Sequence, residues 1–185
     1  KALTVSTVTA TVKQYGDFVP LTDMLLLTAI DNNLVQALDL LGAQAGATLD
    51  TVTREILMGG TSVQYAEGQV TSRATLTAEH KLTVKAVRLA ARFLKKQNAP
   101  KIDDGYVEII HPDIAYDIQD DPDWKEWNKY TTSDKMFQGE IGKIANVRFV
   151  ETTEAKIFAK AGASNQDVYA TLVLGANAYG TTNIE

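Results

Sequence analysis

The 185-residue sequence contains no cysteine, which excludes disulfides, zinc–thiolate sites and thiol nucleophiles. It also lacks an apolar run near the roughly 20 residues that a bilayer-spanning helix needs. With 18 basic and 23 acidic residues, the net charge is -5, so the basic excess typical of a nucleic-acid reader is missing. The composition, 45% hydrophobic and 22% charged, is that of a globular chain with a core of its own.

Motifs for catalysis and cofactor binding are missing as well. The stretch "GGTSVQYAEG" has no Gly-Lys-Ser/Thr ending, so it is not a phosphate-binding loop. There is no Gly-x-Ser-x-Gly elbow, and His80 and His111 stand apart rather than at zinc-ligand spacing. The acids from Asp117 to Asp123 lack the central glycine and closing glutamate of a calcium loop. We therefore expect a protein that is not an enzyme and holds no cofactor.

The strongest helical pattern covers residues 31 to 58, with Asp31 as a candidate N-cap. Its apolar stripe recurs every three or four residues, at Leu34, Leu38, Leu41, Ala45, Leu49, Val52 and Ile56. Gly59 and Gly60 mark the C-terminal end. Gly42 and Gly46 lie inside the pattern, and glycine there predicts that another backbone packs closely against the helix.

The other elements alternate between strand and helix without a regular βαβ repeat, which predicts an α+β fold. Period-2 alternation predicts a strand over residues 4 to 15. Thr83 is expected to cap a helix that runs to about Asn98. Val107, Ile109 and Ile110 are expected to finish a buried strand before a helix begins at Pro112. Two further strand regions are predicted in "ANVRFVETTEAKIF" and "DVYATLVLGANAYG".

Four basic residues share one face of the helix predicted over 83 to 98, namely Lys85, Arg88, Arg92 and Lys95. A solvated face is the simplest interpretation. The alternatives are contact with an acidic protein surface and contact with nucleic acid. The nucleic-acid alternative lacks the interleaved aromatic residues that stack on bases.

The stretch "EIIHPDIAYDIQDDPDWKEW" admits two interpretations. One imidazole and two carboxylates, from His111, Asp113 and Asp117, could hold a divalent cation at the mouth of a helix. Alternatively, "HPD" and "DPD" are two helix starts, with proline in the first turn and aspartate at the positive end of the helix. The second interpretation makes His111 and Asp121 capping residues, and it accounts for more of the residues.

Aromatic residues follow these acids at Trp124, Trp127 and Tyr130. Packing in a core is one interpretation of the three. The other is a protein interface, where tryptophan and tyrosine are enriched.

Taken in order, several segments resemble the major capsid proteins of tailed phages with the Hong Kong 97-type fold, and most closely the schitovirus coat protein subgroup. These segments are "TVTATVKQYGDFVPLTD", "GATLDTVTREILMGGT", "YVEIIHPDIAYDIQDDPDW", "GEIGKIANVRFVETTEAKIF" and "VYATLVLGANAYG". The most specific parts are "TATVKQYGD", "IIHPD" and "RFVETTEA". The resemblance covers nearly the whole chain.

The resemblance implies a structural, self-assembling protein of an icosahedral shell around double-stranded DNA. Residues 1–62 would be part of a peripheral domain, with the end of an extended loop, a strand and a spine helix over 31–58. Residues 63–165 would form an axial domain, and 166–185 a strand returning toward the peripheral domain. Parts of the peripheral domain are expected to precede Lys1 and to follow Glu185.

Implied partners are further copies in hexamers and pentamers, packaged DNA bound without sequence specificity, and scaffolding, portal or decoration proteins. No membrane partner is implied. The expected location is the phage or prophage virion, after assembly in the host cytoplasm. Two alternatives remain open: an encapsulin-like compartment shell, and a small metal-dependent hydrolase centred on His111, Asp113 and Asp117.

We further expect the basic helix face to meet the acids of residues 113 to 126 on a neighbouring subunit. The candidate assembly contacts are Arg88, Arg92, Lys95, Asp120, Asp121, Asp123, Trp124 and Trp127. Contacts of this heterologous kind can close into rings.

Overall fold

The structure, a computed structural model, describes residues 7, 9, 11–28, 32–66, 70–128 and 142–181. The chain forms two compact units, unit 1 from Lys1 to Val52 and unit 2 from Thr53 to Glu185. The division into segments 1–62, 63–165 and 166–185 that the resemblance implies stays a prediction.

Unit 1 contains helix α1, Asp23–Thr28, and the first part of the long helix α2, Asn33–Met58. Helix α2 confirms the predicted helix over residues 31 to 58, and Asp31 lies outside the described residues. The strand predicted over residues 4 to 15 is wrong where the structure describes it, because residues 11–15 have no regular secondary structure. Alternating side chains alone do not make a strand, since the backbone groups also need a partner strand.

The surroundings of Gly42 and Gly46 in α2 test the prediction that another backbone packs closely against the helix. A Cβ atom built on Gly42 or Gly46 meets nothing within 4 Å. No residue of the described α2 is buried, and Leu38 and Leu49 are among its exposed apolar side chains. Among the described residues, the close backbone neighbour that the sequence predicted for these glycines is therefore not found.

Unit 2 is organised around a four-stranded sheet with the order β2-β3-β1-β6. Its strands are β1, Tyr106–Ile110; β2, Lys143–Ile144; β3, Val147–Glu151; and β6, Leu172–Leu174. Strand β1 pairs with β3 in parallel and with β6 antiparallel. A separate antiparallel pair is formed by β4, Ile157–Phe158, and β5, Val168–Tyr169. Strand β1 therefore lies inside the sheet, with a neighbour on each side.

Three helices begin at the residues that the sequence indicated. Helix α3 covers Val84–Lys96, and the Thr83 side chain accepts a hydrogen bond from the amide of Ala86 at 3.3 Å. Helix α4 covers Pro112–Asp120, and α5 covers Pro122–Asn128. The imidazole of His111 and the carboxylate of Asp121 cap these two helices, as described below. The predicted pair of helix starts is confirmed.

The core of unit 2 lies between α3, the sheet and the α4–α5 pair. Its buried apolar residues form one cluster, made of Val84, Val87, Ala91, Tyr106, Ile110, Ala115, Ile118, Trp124, Ile144 and Val147. Because α3 contributes Val84, Val87 and Ala91, its opposite face points to solvent. The packing thus determines which α3 side chains are available to a partner.

Candidate assembly surface

The basic face of α3, defined as Lys85, Arg88, Arg92 and Lys95, is exposed along its whole length. These residues lie on the side of the helix opposite its buried apolar residues. Within the part of the chain that the structure describes, none of the four makes an ion pair. The face is therefore a strip of like charge whose electrostatic partner would have to come from outside the described chain.

The acids of α4 and α5 differ in how far they are already engaged. Asp117 pairs with Lys81 at 2.8 Å, and this hydrogen bond raises the pKa of Lys81. Asp120 pairs with Lys125 at 2.5 Å, and the same kind of contact lowers the pKa of Asp120. The pair of Asp120 is exposed, where an ion pair contributes little to stability, whereas Asp117 is half-buried. The carboxylate of Asp120 therefore remains accessible to a second cation.

Asp121 and Asp123, two of the predicted contacts, have different surroundings. The half-buried carboxylate of Asp121 accepts a hydrogen bond from the amide of Asp123 in α5 at 2.9 Å. Its other oxygen accepts one from the amide of Val84, the first residue of α3, also at 2.9 Å. Asp121 is therefore a cap shared by two helices, and Asp123 is the exposed acid of this pair.

The structure places Trp124 in the core of unit 2 rather than on its surface. Its side chain is 7% exposed and meets the ring of Phe149 edge to face, with 6.3 Å between the centroids. Trp124 must be removed from the candidate assembly contacts, because a buried indole has no free face for a neighbouring subunit. Trp127 belongs to α5, but its side chain, like all of Tyr130, lies outside the described residues.

His111, Asp113 and Asp117 do not form a metal-ligating group. The Nδ1 atom of His111 accepts a hydrogen bond from the amide of Asp113 at 3.2 Å, which caps α4. The carboxylate of Asp113 accepts a hydrogen bond from the hydroxyl of Tyr169 at 2.7 Å, and this bond raises the pKa of Tyr169. Asp117 forms an ion pair with Lys81 instead. Among the described residues, no three histidines or acids are arranged to hold a metal ion.

Two exposed aromatic residues belong to this surface and were not predicted from the sequence. Tyr116 on α4 is 75% exposed and lies three or four residues from Asp113 and Asp120, hence on the same face. Phe93 on α3 is 44% exposed and follows Arg92 directly. Helical spacing was a usable signal for Tyr116. No such signal indicated that Phe93 is exposed, because its neighbour Leu94 is also apolar and packs against the core.

The fold is similar to that of a known phage capsid. The structure titled "Capsid of Ralstonia phage GP4" matches with a TM-score of 0.62 and 18% sequence identity. The match covers 83% of this chain and 54% of that chain, so the sequence spans about half the length of the capsid protein it resembles. No curated protein matches the sequence.

A family model described as "Phage capsid protein" matches residues 5–182. The chain therefore belongs to the phage capsid protein family and is a structural capsid protein with an α+β fold. The match agrees with the phage capsid protein that the sequence resemblance indicated. None of the described helices is long and apolar enough to cross a membrane.

Proposed function

We propose that this chain is part of a major capsid protein of a tailed phage or prophage, with the Hong Kong 97-type fold of the schitovirus-like subgroup. It self-assembles in the host cytoplasm into an icosahedral shell of hexamers and pentamers and remains in the virion. The observation that carries this proposal is the family match over residues 5–182. The capsid-like fold, at a TM-score of 0.62, supports it independently of sequence.

The shell encloses double-stranded DNA without reading its sequence. A net charge of -5 favours repulsion rather than tight binding of a polyanion, and tight nucleic-acid binding draws on many basic contacts to phosphates. Such a wall confines DNA without holding it in one register. Scaffolding, portal and decoration proteins are further partners of the assembled shell.

Contacts between subunits include the basic face of α3 on one copy and the acids Asp120 and Asp123 on the next. The support is the charge distribution: the basic face has no ion-pair partner among the described residues, while both acids are exposed. When two different surface patches meet between neighbouring subunits, the subunits form a closed ring if the rotation that relates them closes. Tyr116 beside the acids supplies an aromatic contact of the type common in interfaces.

Charge reversal in the full-length gene product tests these contacts. The double variant Arg88→Glu/Arg92→Glu should give fewer closed shells by electron microscopy and sedimentation, because like charges then face each other. A matched control, Lys101→Glu/Lys160→Glu, makes the same change of net charge at exposed positions outside α3 and should assemble normally.

A compensating change and a salt series complete the test. Adding Asp120→Lys and Asp123→Lys to the α3 variant should restore assembly, because the two faces then carry opposite charges again. Assembly of the wild-type protein should weaken as salt is added, since the electrostatic screening length falls from about 10 Å at 0.1 M to about 3 Å at 1 M. Equal shell yields for all variants, at every salt concentration, would contradict the proposed pairing.

A further inference from the structure

The central strand of unit 2 carries an acid where a core residue is expected. Residues 106, 108 and 110 of β1 are buried, whereas 107 and 109 are half-buried, so Glu108 shares a face with Tyr106 and Ile110. Glu108 is 1% exposed and is the only buried charged residue among those described. Tyr106 and Ile110 belong to the same core as Val87 of α3. The same core contains Ala115 and Ile118 of α4 and Trp124 of α5, so the carboxyl group of Glu108 lies on the sheet face that α3, α4 and α5 cover together.

The sheet neighbours of Glu108 offer it no polar partner. In the strand register, Glu108 lies opposite Phe149 of β3 and Val173 of β6. Side chains of opposed residues share a face of the sheet, so Glu108 has apolar side chains on both sides. Along the strand, the hydroxyl of Tyr106 already donates to the carbonyl oxygen of Ala99 at 3.1 Å. Among the described residues, the buried Oε2 atom of Glu108 has no hydrogen-bond partner.

Charged groups on the surrounding elements either form other contacts or lie on outer, exposed faces. The buried residues of α3 are Val84, Ala86, Val87 and Ala91, so its basic residues are on the outer side. From α4, Asp117 forms its ion pair with Lys81. At the α4–α5 junction, Asp121 caps α3 and α5. The imidazoles of His80 and His111 accept hydrogen bonds from the amides of Thr77 and Asp113.

We propose that Glu108 is a proton-dependent latch for α3: the helix packs most firmly on the sheet while the carboxyl group keeps its proton, and it opens more readily as the solution becomes alkaline. A neutral carboxyl group is tolerated in an apolar core far better than a carboxylate. To ionise in water, Glu108 must be uncovered, and α3 covers its face of the sheet together with α4 and α5. The latch does not depend on shell assembly.

The direction of the pH dependence follows from burial, which raises the pKa of Glu108 from 4.5 to about 8. In the open state the pKa returns toward its usual value, so the packed state binds the proton more tightly. The stabilisation is therefore complete below about pH 4.5 and is lost as the pH rises through about 8. Between these limits, each pH unit makes opening about tenfold easier, and above them the effect levels off.

Hydrogen exchange of the α3 amides measures this opening in the wild-type protein. After correction for the intrinsic pH dependence of exchange, protection should fall about 100-fold from pH 6 to pH 8 and little further to pH 9. The variant Glu108→Gln removes the titrating proton. The corrected protection of its α3 amides should therefore depend much less steeply on pH. The difference between the two proteins isolates the contribution of Glu108 from that of every other group.

The control is Glu126→Gln, the same substitution at an exposed position of α5. It should keep the wild-type slope. A wild-type α3 whose corrected protection is constant from pH 6 to pH 9, or a Glu108→Gln slope equal to that of the wild type, would overturn the proposal.

A second measurement needs no variant and covers the case in which Glu108→Gln does not fold. Carbon-13 NMR of the glutamate side-chain carboxyl groups follows each titration in the intact protein. One carboxyl group should titrate near pH 8, in step with the change in α3 exchange. If every glutamate titrates near 4.5, its ordinary value, Glu108 is not shielded and the latch does not exist.

Discussion

Replacing Asp121 by alanine removes a carboxylate that two helices share. One oxygen accepts the amide of Asp123 and the other accepts the amide of Val84, each at 2.9 Å. Loss of an N-cap aspartate costs about 1 kcal/mol. The amide of Val84, a residue that is 0% exposed, would also lose its partner, and an unpaired buried donor costs about 1–3 kcal/mol. We expect the variant to lose about 2–4 kcal/mol of unfolding free energy.

Urea denaturation and thermal melting measure this loss. For a chain of this length, about 1 kcal/mol corresponds to roughly 2–4 °C, so the melting temperature should fall by about 4–16 °C. Asp121→Asn keeps one acceptor oxygen and should lie between the wild type and Asp121→Ala. The matched control is Asp120→Ala, the adjacent acid, whose pair with Lys125 is exposed. It should leave both transitions unchanged within error.

Equal stability of the Asp121→Ala and Asp120→Ala variants would refute the role of Asp121 as a shared cap. If Asp121→Ala and Asp120→Ala give the same denaturation midpoint, the shared cap does not stabilise unit 2. Asp121 would then return to the set of exposed assembly contacts in which the sequence placed it. A loss that appears only in shell assembly, and not in the stability of the subunit, would support that reassignment.

Glycine substitutions give the remaining predictions. Gly105→Ala should lower the unfolding free energy by about 1–3 kcal/mol, because a Cβ atom would collide with the carbonyl oxygen of Asn146. Gly42→Ala should instead raise helix stability by up to about 1 kcal/mol, since nothing lies within 4 Å of the new atom. Circular dichroism melts check both. A destabilising Gly42→Ala would contradict the open space described around Gly42. A neutral Gly105→Ala would contradict the close contact described at Gly105.

The helices were predictable because their signals are local. Thr83, the His111–Pro112 pair and the Asp121–Pro122 pair each specify a helix start within a few residues, and the structure uses all three. Period 3.6 in the long apolar stripe likewise predicted α2. Such information needs no knowledge of the rest of the chain.

Features that depend on distant segments were not predictable in the same way. The burial of Glu108 follows from its register between β3 and β6, which local sequence does not determine. The sequence predicted a buried strand ending in Val107, Ile109 and Ile110, but residues 107 and 109 are only half-buried and the buried face is that of Tyr106, Glu108 and Ile110. Trp124 was ambiguous for a similar reason, because only its contact with Phe149 distinguishes core from interface.

The candidate surface was predictable in part. Spacing correctly placed Arg88 and Arg92 on one exposed face of α3. It could not tell which acids were already engaged, because the pairs of Asp117 and Asp120 involve lysines outside their own helical turn. The hydrogen bond from Tyr169 to Asp113 joins residues 56 positions apart, and no local pattern indicates it.

Electron microscopy of the full-length gene product after expression tests the central claim most directly. Closed shells of uniform diameter, with five- and six-fold capsomers in the averaged images, are the predicted result. A protein that stays monomeric at high concentration, in low and in moderate salt and with its scaffolding partner present, would contradict the assignment as a shell subunit.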